Sequence, residues 1–510
     1  MISSDEGLEA LFTMESERGG VIEEPSFRLL ILADLSGDGT KKDVSSRRPI
    51  EIDRDNFDEV LSRIAPKLSV VHGETAAPLE LTFKVLDDFH PDNIFASVPL
   101  FAELRDLRRR LKNEDSFFEA AREVRSLFSE PANEMQESAP KAADVSAPGA
   151  DGDDLLSQIL ARPTGGAAST RPKAAGSSEL NYLIGELVRP HLVRVDEDER
   201  SQMLAAVDDA TSGLMRAIIH DHRFQALEAA WRGLYFLVRR VETDVDLTIF
   251  VLDISKEELA GDLRSSDDLS KTRTFELLVT EAVETPGGEP WAAVFGDYGF
   301  LPAVDDIAAL VRLSKIASAA GAPFISHMRP DVLGIHSLEG NTDPRTWTLD
   351  GDTEALKLWS ALRSIGEAEY LGMTIPRFLA RLPYGADTEP LESFSFEEFP
   401  DAPEHDKYLW ANSSYACAAL LAQTFSAAGW QMDKRFAQDL DRLPVHVYES
   451  SGETVYVPCA EVQLTHDGCD RLMEFGLMPL VSFKNTDHVK LARFQSVADP
   501  VTGLRGRWKT

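Results

Sequence analysis

FRLLILAD, residues 27–34, is a short apolar run that ends at the turn-prone stretch LSGDGT. A run of that length closed by turn residues reads as a central strand leaving its sheet. DLTIFVLDIS, residues 246–255, repeats the pattern far along the chain and is apolar on both faces, so it too needs cover on each side. Strands of this kind, interspersed with amphipathic helices, define a mixed α/β (α+β) fold.

Outward from the first strand, NFDEVLSRIAP sets Phe57, Val60, Leu61 and Ile64 on one helical face. LELTFKV alternates as a half-buried strand, with Leu79, Leu81, Phe83 and Val85 on one side. VPLFAELRDLRRRL carries a stripe of Leu100, Leu104, Leu107 and Leu111 behind Pro99, a residue suited to a first helical turn. These elements make a first domain over 25–130, preceded by an acidic tail over 1–24. Residues 131–178 turn to Pro, Ala, Gly, Ser and Asp, too poor in bulky apolar groups to offset the entropy of ordering, and read as a linker. Inside it, DLLSQILARP places Leu155, Leu156, Ile159 and Leu160 on one face of a short helix over 153–162. By itself that face fits either a docking peptide or a helix that packs back onto a neighbouring domain.

A second domain is expected over 179–510. In it FQALEAAWRGLYFLVRRV, residues 224–241, repeats apolar residues at three- and four-residue steps: Phe224, Leu227, Trp231, Leu234, Leu237 or Val238, and Val241. Gln225, Glu228, Arg232 and Arg239 fall off that dry face. Ser255 and Glu258 stand at capping-box spacing, which predicts a helix start there.

A chain of 510 residues exceeds what one hydrophobic core usually supports. Lys and Arg total 52 against 86 Asp and Glu, and the net charge of -34 repels phosphate backbones and anionic surfaces. Nucleic acid is therefore disfavoured as a main partner. Cys417, Cys459 and Cys469 show no CxxC spacing and suit free thiols in a reducing compartment, the cytoplasm. The acidic start lacks a signal-peptide pattern, and no run of about eighteen apolar residues occurs, so membrane insertion is not expected.

Motifs for chemistry are sparse. Neither GxxxxGK[ST] nor GxGxxG is present, and GDGTK at residues 37–41 has the glycines without the spacing. Asp34, Ser36, Asp38 and Gly39 mimic the start of a calcium loop, but its twelfth position is Ser45 where a bidentate Glu is required. His220 and His222 are two apart and leave a helix in different directions, as exposed or capping residues do. Asp87, Asp88, His90 and Asp92 are the densest ligand-like group, yet they lie between a strand and a helix, where such residues hold free amides. No GxSxG or HExxH occurs. No catalytic, cofactor-binding or metal residue is assigned.

FQALEAAWRGLYFLV resembles the signature helix of the large subunit of the bacterial type VI secretion contractile sheath. TIPRFLARLPYG (374–385), LESFSFEE (391–398), YLWANSSYACAALLAQTFSAAGW (408–430) and GLMPLVSFKNTD (476–487) resemble further segments of that subunit in the same order. The resemblance implies packing or interface roles for Phe224, Leu227, Trp231, Leu234, Arg377, Phe378, Tyr384, Trp410 and Trp430. The first domain is similar to the sheath small subunit, through its DLSG turn, RRPIEIDRDNFDEVL and LELTFKVLDDFHPDNIFASVPLFAELRDLRRRL. In that family the two subunits are separate chains that form a stable heterodimer, so this chain looks like a fusion of two sheath-type domains.

DLLSQILARP is similar to the large-subunit peptide that the sheath-recycling AAA+ unfoldase grips. That similarity favours docking, with Leu155, Leu156, Ile159 and Leu160 as anchors. After the KNTD block the usual large subunit continues into a region that lies against the inner tube and exchanges strands with neighbours, whereas this sequence stops at GLRGRWKT. The expectation is a shortened sheath protein, bacterial, cytoplasmic, oligomeric and non-enzymatic, which joins, caps or nucleates the sheath. Its expected partners are other sheath subunits, inner tube or baseplate proteins and the unfoldase. The alternatives are an adaptor that links sheath or baseplate to the unfoldase, and an enzyme on a reused scaffold.

Overall fold

Strand β1 (Phe27–Ala33) is buried along nearly its whole length and sits in the interior of a nine-stranded sheet. The computed structural model describes residues 24–39, 41–70, 78–128, 199–348, 352–432 and 436–508. The strands are β1, β2 (Ile50–Glu51), β3 (Lys67–Val70), β4 (Leu79–Thr82), β5 (Leu247–Asp253), β6 (Ala293–Phe300), β7 (Phe324–Met328) and β8 (Leu371–Ile375). After them come β9 (Phe378–Leu379), β10 (Trp410–Ala411), β11 (Asp439–Leu440), β12 (His446–Ser450), β13 (Glu453–Val457), β14 (Met478–Ser482) and β15 (Val489–Leu491). The helices used below are α1 (Phe57–Ile64), α2 (Pro91–Ser97), α3 (Pro99–Lys112), α4 (Glu114–Phe128), α5 (Glu199–Ile219) and α6 (His222–Arg240). They continue with α7 (Lys256–Arg264), α8 (Val304–Ala320), α9 (Glu354–Arg363), α10 (Ser414–Ala428) and α11 (His466–Glu474).

The sheet order is β11-β15-β14-β8-β7-β6-β1-β5-β2. β1 pairs in parallel with β5 from Phe27↔Leu247 to Ala33↔Asp253, and on its other side with β6 from Leu29↔Ala293 to Leu32↔Gly296. β6, β7, β8 and β14 continue the parallel run, and antiparallel β2 and β15 follow at its two ends. Leu30, Leu32 and Leu252 enter one core with α7, α8 and α9. Leu29, Ile31, Ile249 and Val251 are just as buried and, by strand alternation, take the opposite face. That two-sided burial is the cause of the unbroken apolar runs in β1 and β5.

One sequence expectation needs adjustment. The strand at Leu79 ends at Thr82 and not at Val85, because the Asp88 carboxylate accepts from Lys84 N at 2.6 Å and Val85 N at 3.1 Å and turns the chain into a 3-10 helix, Leu86–Phe89. Val85 is left exposed. The described residues form two compact units. Among the described residues, one unit takes those of 24–70, 78–96 and 216–508 together, because β1 and β2 belong to the sheet of β5 and β6. The other comprises the described residues 97–128 and 199–215, in which α3, α4 and the first part of α5 bury Leu104, Leu107, Leu111, Val124 and Val207, and the Arg108 fork grips Asp208. The capping box forms as its spacing predicts: Glu258 N donates to Ser255 Oγ at 3.2 Å, and Ser255 N donates to Glu258 Oε2 at 2.9 Å.

Candidate functional site

Helix α6 starts on Asp221, whose carboxylate accepts from Arg223 N and Phe224 N at 2.9 and 3.1 Å. Its apolar stripe packs as the periodicity requires. Phe224 meets Phe83 and Phe89 edge-on at 6.0 and 5.8 Å, Trp231 meets Phe57 edge-on at 5.7 Å, and Leu227 and Leu234 are buried. Trp231 Nε1 donates to the carbonyl of Leu35, just beyond β1, at 2.9 Å. Gly233 lies against the Tyr415 ring of α10, where an added Cβ would fall 2.5 Å from two ring carbons.

The polar residues of α6 depart from the sequence reading. Glu228 is fully buried, and Arg232 is half-buried. Glu228 Oε1 accepts from Arg232 Nε at 2.6 Å and from Arg381 Nε at 2.9 Å. Arg381 Nη1 in turn donates to Glu398 Oε2 at 2.8 Å. Tyr384 N donates to the same carboxylate at 2.8 Å, and Tyr384 OH accepts from Arg232 Nη2 at 3.0 Å. His220, read as exposed or capping, is half-buried with Nε2 3.4 Å from Glu398 Oε1. Three separate blocks of sequence thus close on one interior charge network. Burial pushes the Glu398 carboxyl up, but the Arg381 charge and the hydrogen bonds of His220, Arg381 and Tyr384 together outweigh it and leave it at about 2.

The remaining singled-out residues also find internal partners. Phe378 and Phe236 rings are 4.8 Å apart, Trp410 Nε1 donates to His405 O at 2.9 Å, and Trp430 Nε1 donates to Pro25 O at 2.8 Å. Arg377 forms a two-point pair with Glu461 through Nε at 3.1 Å and Nη2 at 2.5 Å. Leu155, Leu156, Ile159 and Leu160 lie outside the described residues. Of the ligand-like group, Asp88 is spent on the amides of Lys84 and Val85, and Asp92 on those of Glu392 and Ser393, both at 3.0 Å. Among the described residues no cluster of three or more His, Cys, Asp or Glu is arranged to hold a metal. Cys417, Cys459 and Cys469 are buried free thiols.

Sequence reasoning missed a cavity of about 830 Å3 at the C-terminal ends of the parallel strands. Its walls include Asp34 after β1, Asp297 in β6, His327 in β7 and Arg377 after β8. From β1 the chain passes to β5 on one side and then to β6 on the other, so strand order reverses between β1 and β6. Open parallel sheets bind ligands at that edge. Asp297 Oδ2 accepts from Tyr415 OH at 3.1 Å, and burial, aided by the charge of Asp34, pushes its carboxyl up to about 6. Burial first, then the charge of Arg377, lowers His327 to about 4, so its imidazole is neutral at pH 7. The sequence signal for this site was Asp34 at the end of the first apolar run, a residue that turns also favour.

An α/β sheet with a strand from near the N-terminus in its interior, held at the exit of that strand by the indole of α6, is the architecture of a chain whose sequence matches two known families. Residues 201–498 match the family described as EvpB/VC_A0108, tail sheath N-terminal domain, and residues 12–139 match that described as Type VI secretion system, VipA, VC_A0107 or Hcp2. The first match spans more than half of the chain, and the chain belongs to that tail sheath family. It is 38% identical over 304 residues to the type VI secretion system sheath protein TssC1 of Pseudomonas aeruginosa, an alignment covering 58% of this chain and 61% of that protein. It is 33% identical over 94 residues to the sheath protein TssB1 of the same organism, covering 17% of this chain and 55% of the relative. The chain therefore spans less than two thirds of either relative, and it joins a small-subunit-like and a large-subunit-like segment in one polypeptide.

Proposed function

We propose that this chain is a structural and assembly component of a type VI secretion contractile sheath, acting in the bacterial cytoplasm without catalysing a reaction. It carries the small and large partners together and joins, caps or nucleates the sheath. The observation that carries this reading is the seven-residue parallel pairing of β1 with β5. A strand from the small-subunit-like segment is built into the sheet of the large-subunit-like segment, so the pair forms without a second polypeptide. Fusion holds the two at high effective concentration and fixes their stoichiometry. Function in such a component is mechanical: contraction needs interfaces with two stable arrangements. Its partners on this reading are other sheath subunits, with inner tube or baseplate proteins. Negative-stain microscopy of the purified protein, alone and mixed with sheath subunits, tests this directly. Rings, tubes or a defined cap are expected, and a monomer that ignores every sheath and baseplate protein overturns the proposal.

An adaptor role is the second reading, favoured by the apolar face Leu155, Leu156, Ile159 and Leu160 within an otherwise polar segment. A recycling AAA+ unfoldase is the partner on this reading. Leu156→Asp with Ile159→Asp should abolish unfoldase binding and leave the unfolding transition unchanged. Binding that survives the double substitution removes the adaptor role.

A further inference from the structure

The ribbon of β12 and β13 stands apart from the nine-stranded sheet as a two-stranded sheet of its own. Its pairing runs from His446↔Val457 to Ser450↔Glu453, and among the described residues no main-chain hydrogen bond leaves the pair. Val447, Glu449, Glu453, Thr454 and Tyr456 are exposed, as is the turn at Ser451 and Gly452. Two strands without a third partner are marginal in water, so the position of the ribbon depends on what holds its base.

That base is held by chemistry that acid can change. Among the described residues, a single side-chain hydrogen bond joins the ribbon to the rest of the chain: the hydroxyl of Tyr408, just before β10, lies 2.6 Å from His446 Nδ1. Burial raises the Tyr408 phenol above its ordinary value, so it keeps its proton and donates, and Nδ1 accepts with the ring proton on Nε2. Val457 adds apolar contact with Leu379, Tyr408 and Trp410, and Tyr448 stacks on the imidazole at 5.3 Å. His446 is only 6% exposed. Its titratable neighbours are the phenols of Tyr408 and Tyr448, which bring no charge to balance a cation. The carboxylate that pulls on the ring, Glu398, is already engaged by Arg381. Burial outweighs that pull and holds His446 below its ordinary value.

We propose that the β12–β13 ribbon is a pH-dependent arm, latched to the body by the Tyr408–His446 hydrogen bond and released when His446 takes up a proton. Protonation at Nδ1 consumes the lone pair that the phenol uses and sets a cation in a dry site. On the released arm the same imidazolium is solvated by water. A ring that titrates lower when latched than when free shifts the equilibrium toward release as pH falls from about 6.5. This device is additional to the assembly role and does not depend on it.

Pulsed electron paramagnetic resonance of the full chain tests it, with spin labels at Thr454→Cys in the ribbon and Glu257→Cys in α7. Both positions are exposed, whereas Cys417, Cys459 and Cys469 are buried. A narrow distance distribution is expected at pH 7.5, and a second, broader population should be at least threefold larger at pH 5.5, with far-UV circular dichroism constant. His446→Phe keeps a ring but cannot titrate, and should abolish that growth. Tyr408→Phe removes the donor and should enlarge the broad population already at pH 7.5. A distribution unchanged down to pH 5.5, broadening that survives in His446→Phe, or broadening that comes only with loss of the dichroism signal overturns the proposal. If His446→Phe fails to fold, Tyr408→Phe decides: a distribution identical to that of the parent chain at pH 7.5 removes the latch.

Discussion

Trp231 Nε1 donates to the main-chain carbonyl of Leu35 at 2.9 Å, across 196 residues of sequence. Leu35 is two residues past β1, and its own N–H is held by Asp253 Oδ1 at the end of β5 at 2.9 Å. The indole thus clamps the exit of the strand that the small-subunit-like segment contributes, and an adjacent pair does the same. Arg47 reaches Glu258 with Nη1 at 2.9 Å and Nη2 at 2.6 Å, and donates to Asp253 O at 2.6 Å. A tryptophan serves at position 231 because it fills the core against Phe57 and still offers a donor at its rim.

Trp231→Ala should therefore cost about 3–5 kcal/mol in urea unfolding, as truncation of a fully buried indole does. Trp231→Phe keeps most of the packing but leaves the Leu35 carbonyl without its donor, at a cost of about 1–3 kcal/mol. Equal stability of the Phe variant and the parent chain would show that the hydrogen bond contributes nothing.

Arg381 is the hub of the interior network, 4% exposed at the side chain and in contact with both Glu228 and Glu398. Arg381→Met strands the buried Glu398 carboxylate and leaves Glu228 with Arg232 alone, and should destabilise by about 3–5 kcal/mol. Replacing Glu228, Arg232, Arg381 and Glu398 together by Met should restore most of that loss, because apolar groups of similar volume carry no desolvation penalty and no member of the network is left unpaired. A quadruple variant no more stable than the single one contradicts this account. Glu398, held at about 2, also stabilises the fold above its unfolded value of about 4.3, and that contribution disappears as pH falls from there toward 2.

Much of the architecture was legible because burial leaves a periodic trace. β1 and β5 are apolar on both faces, α6 repeats at helical steps, and Ser255 with Glu258 announces a helix start. Pairing leaves no such trace. Glu228 and Arg232 look like a solvated i,i+4 pair, and only the arrival of Arg381 from 153 residues away makes them interior. Nothing in FRLLILA says that its neighbours are β5 and β6, since any parallel partner would suit an apolar strand. The cavity was hidden for the same reason: each strand end contributes a single polar residue, and the sheet order alone gathers them.

Gly233 shows how that gathering reverses an ordinary expectation. In an exposed helix, Gly→Ala stabilises by about 0.5–1 kcal/mol. Here the new methyl would meet Tyr415 Cδ2 and Cε2 at 2.5 Å. Gly233→Ala should instead destabilise by about 1–3 kcal/mol through overpacking between α6 and α10. Tyr415→Leu in the same chain should relieve part of the clash, so a double-mutant cycle should show favourable coupling between the two substitutions. A stabilised Gly233→Ala chain would mean that the helices separate freely at this point.

His327 and Asp297 share the cavity but respond to acid in opposite senses. The folded chain holds His327 at about 4, below its unfolded value of about 6.5, so the unfolded state takes up the proton first. Its contribution is intact above pH 6.5 and is lost as pH falls through that window toward 4. Asp297, at about 6 when folded and near 3.9 when unfolded, binds its proton first in the folded state and so favours folding as pH falls over much of the same range. Removing the imidazole leaves only the second effect. Measured by urea unfolding from pH 7 to pH 4, the stability of the parent chain relative to His327→Gln should fall by about 3 kcal/mol. A difference between the two chains that stays constant across that range would place the imidazole in water rather than in the cavity wall.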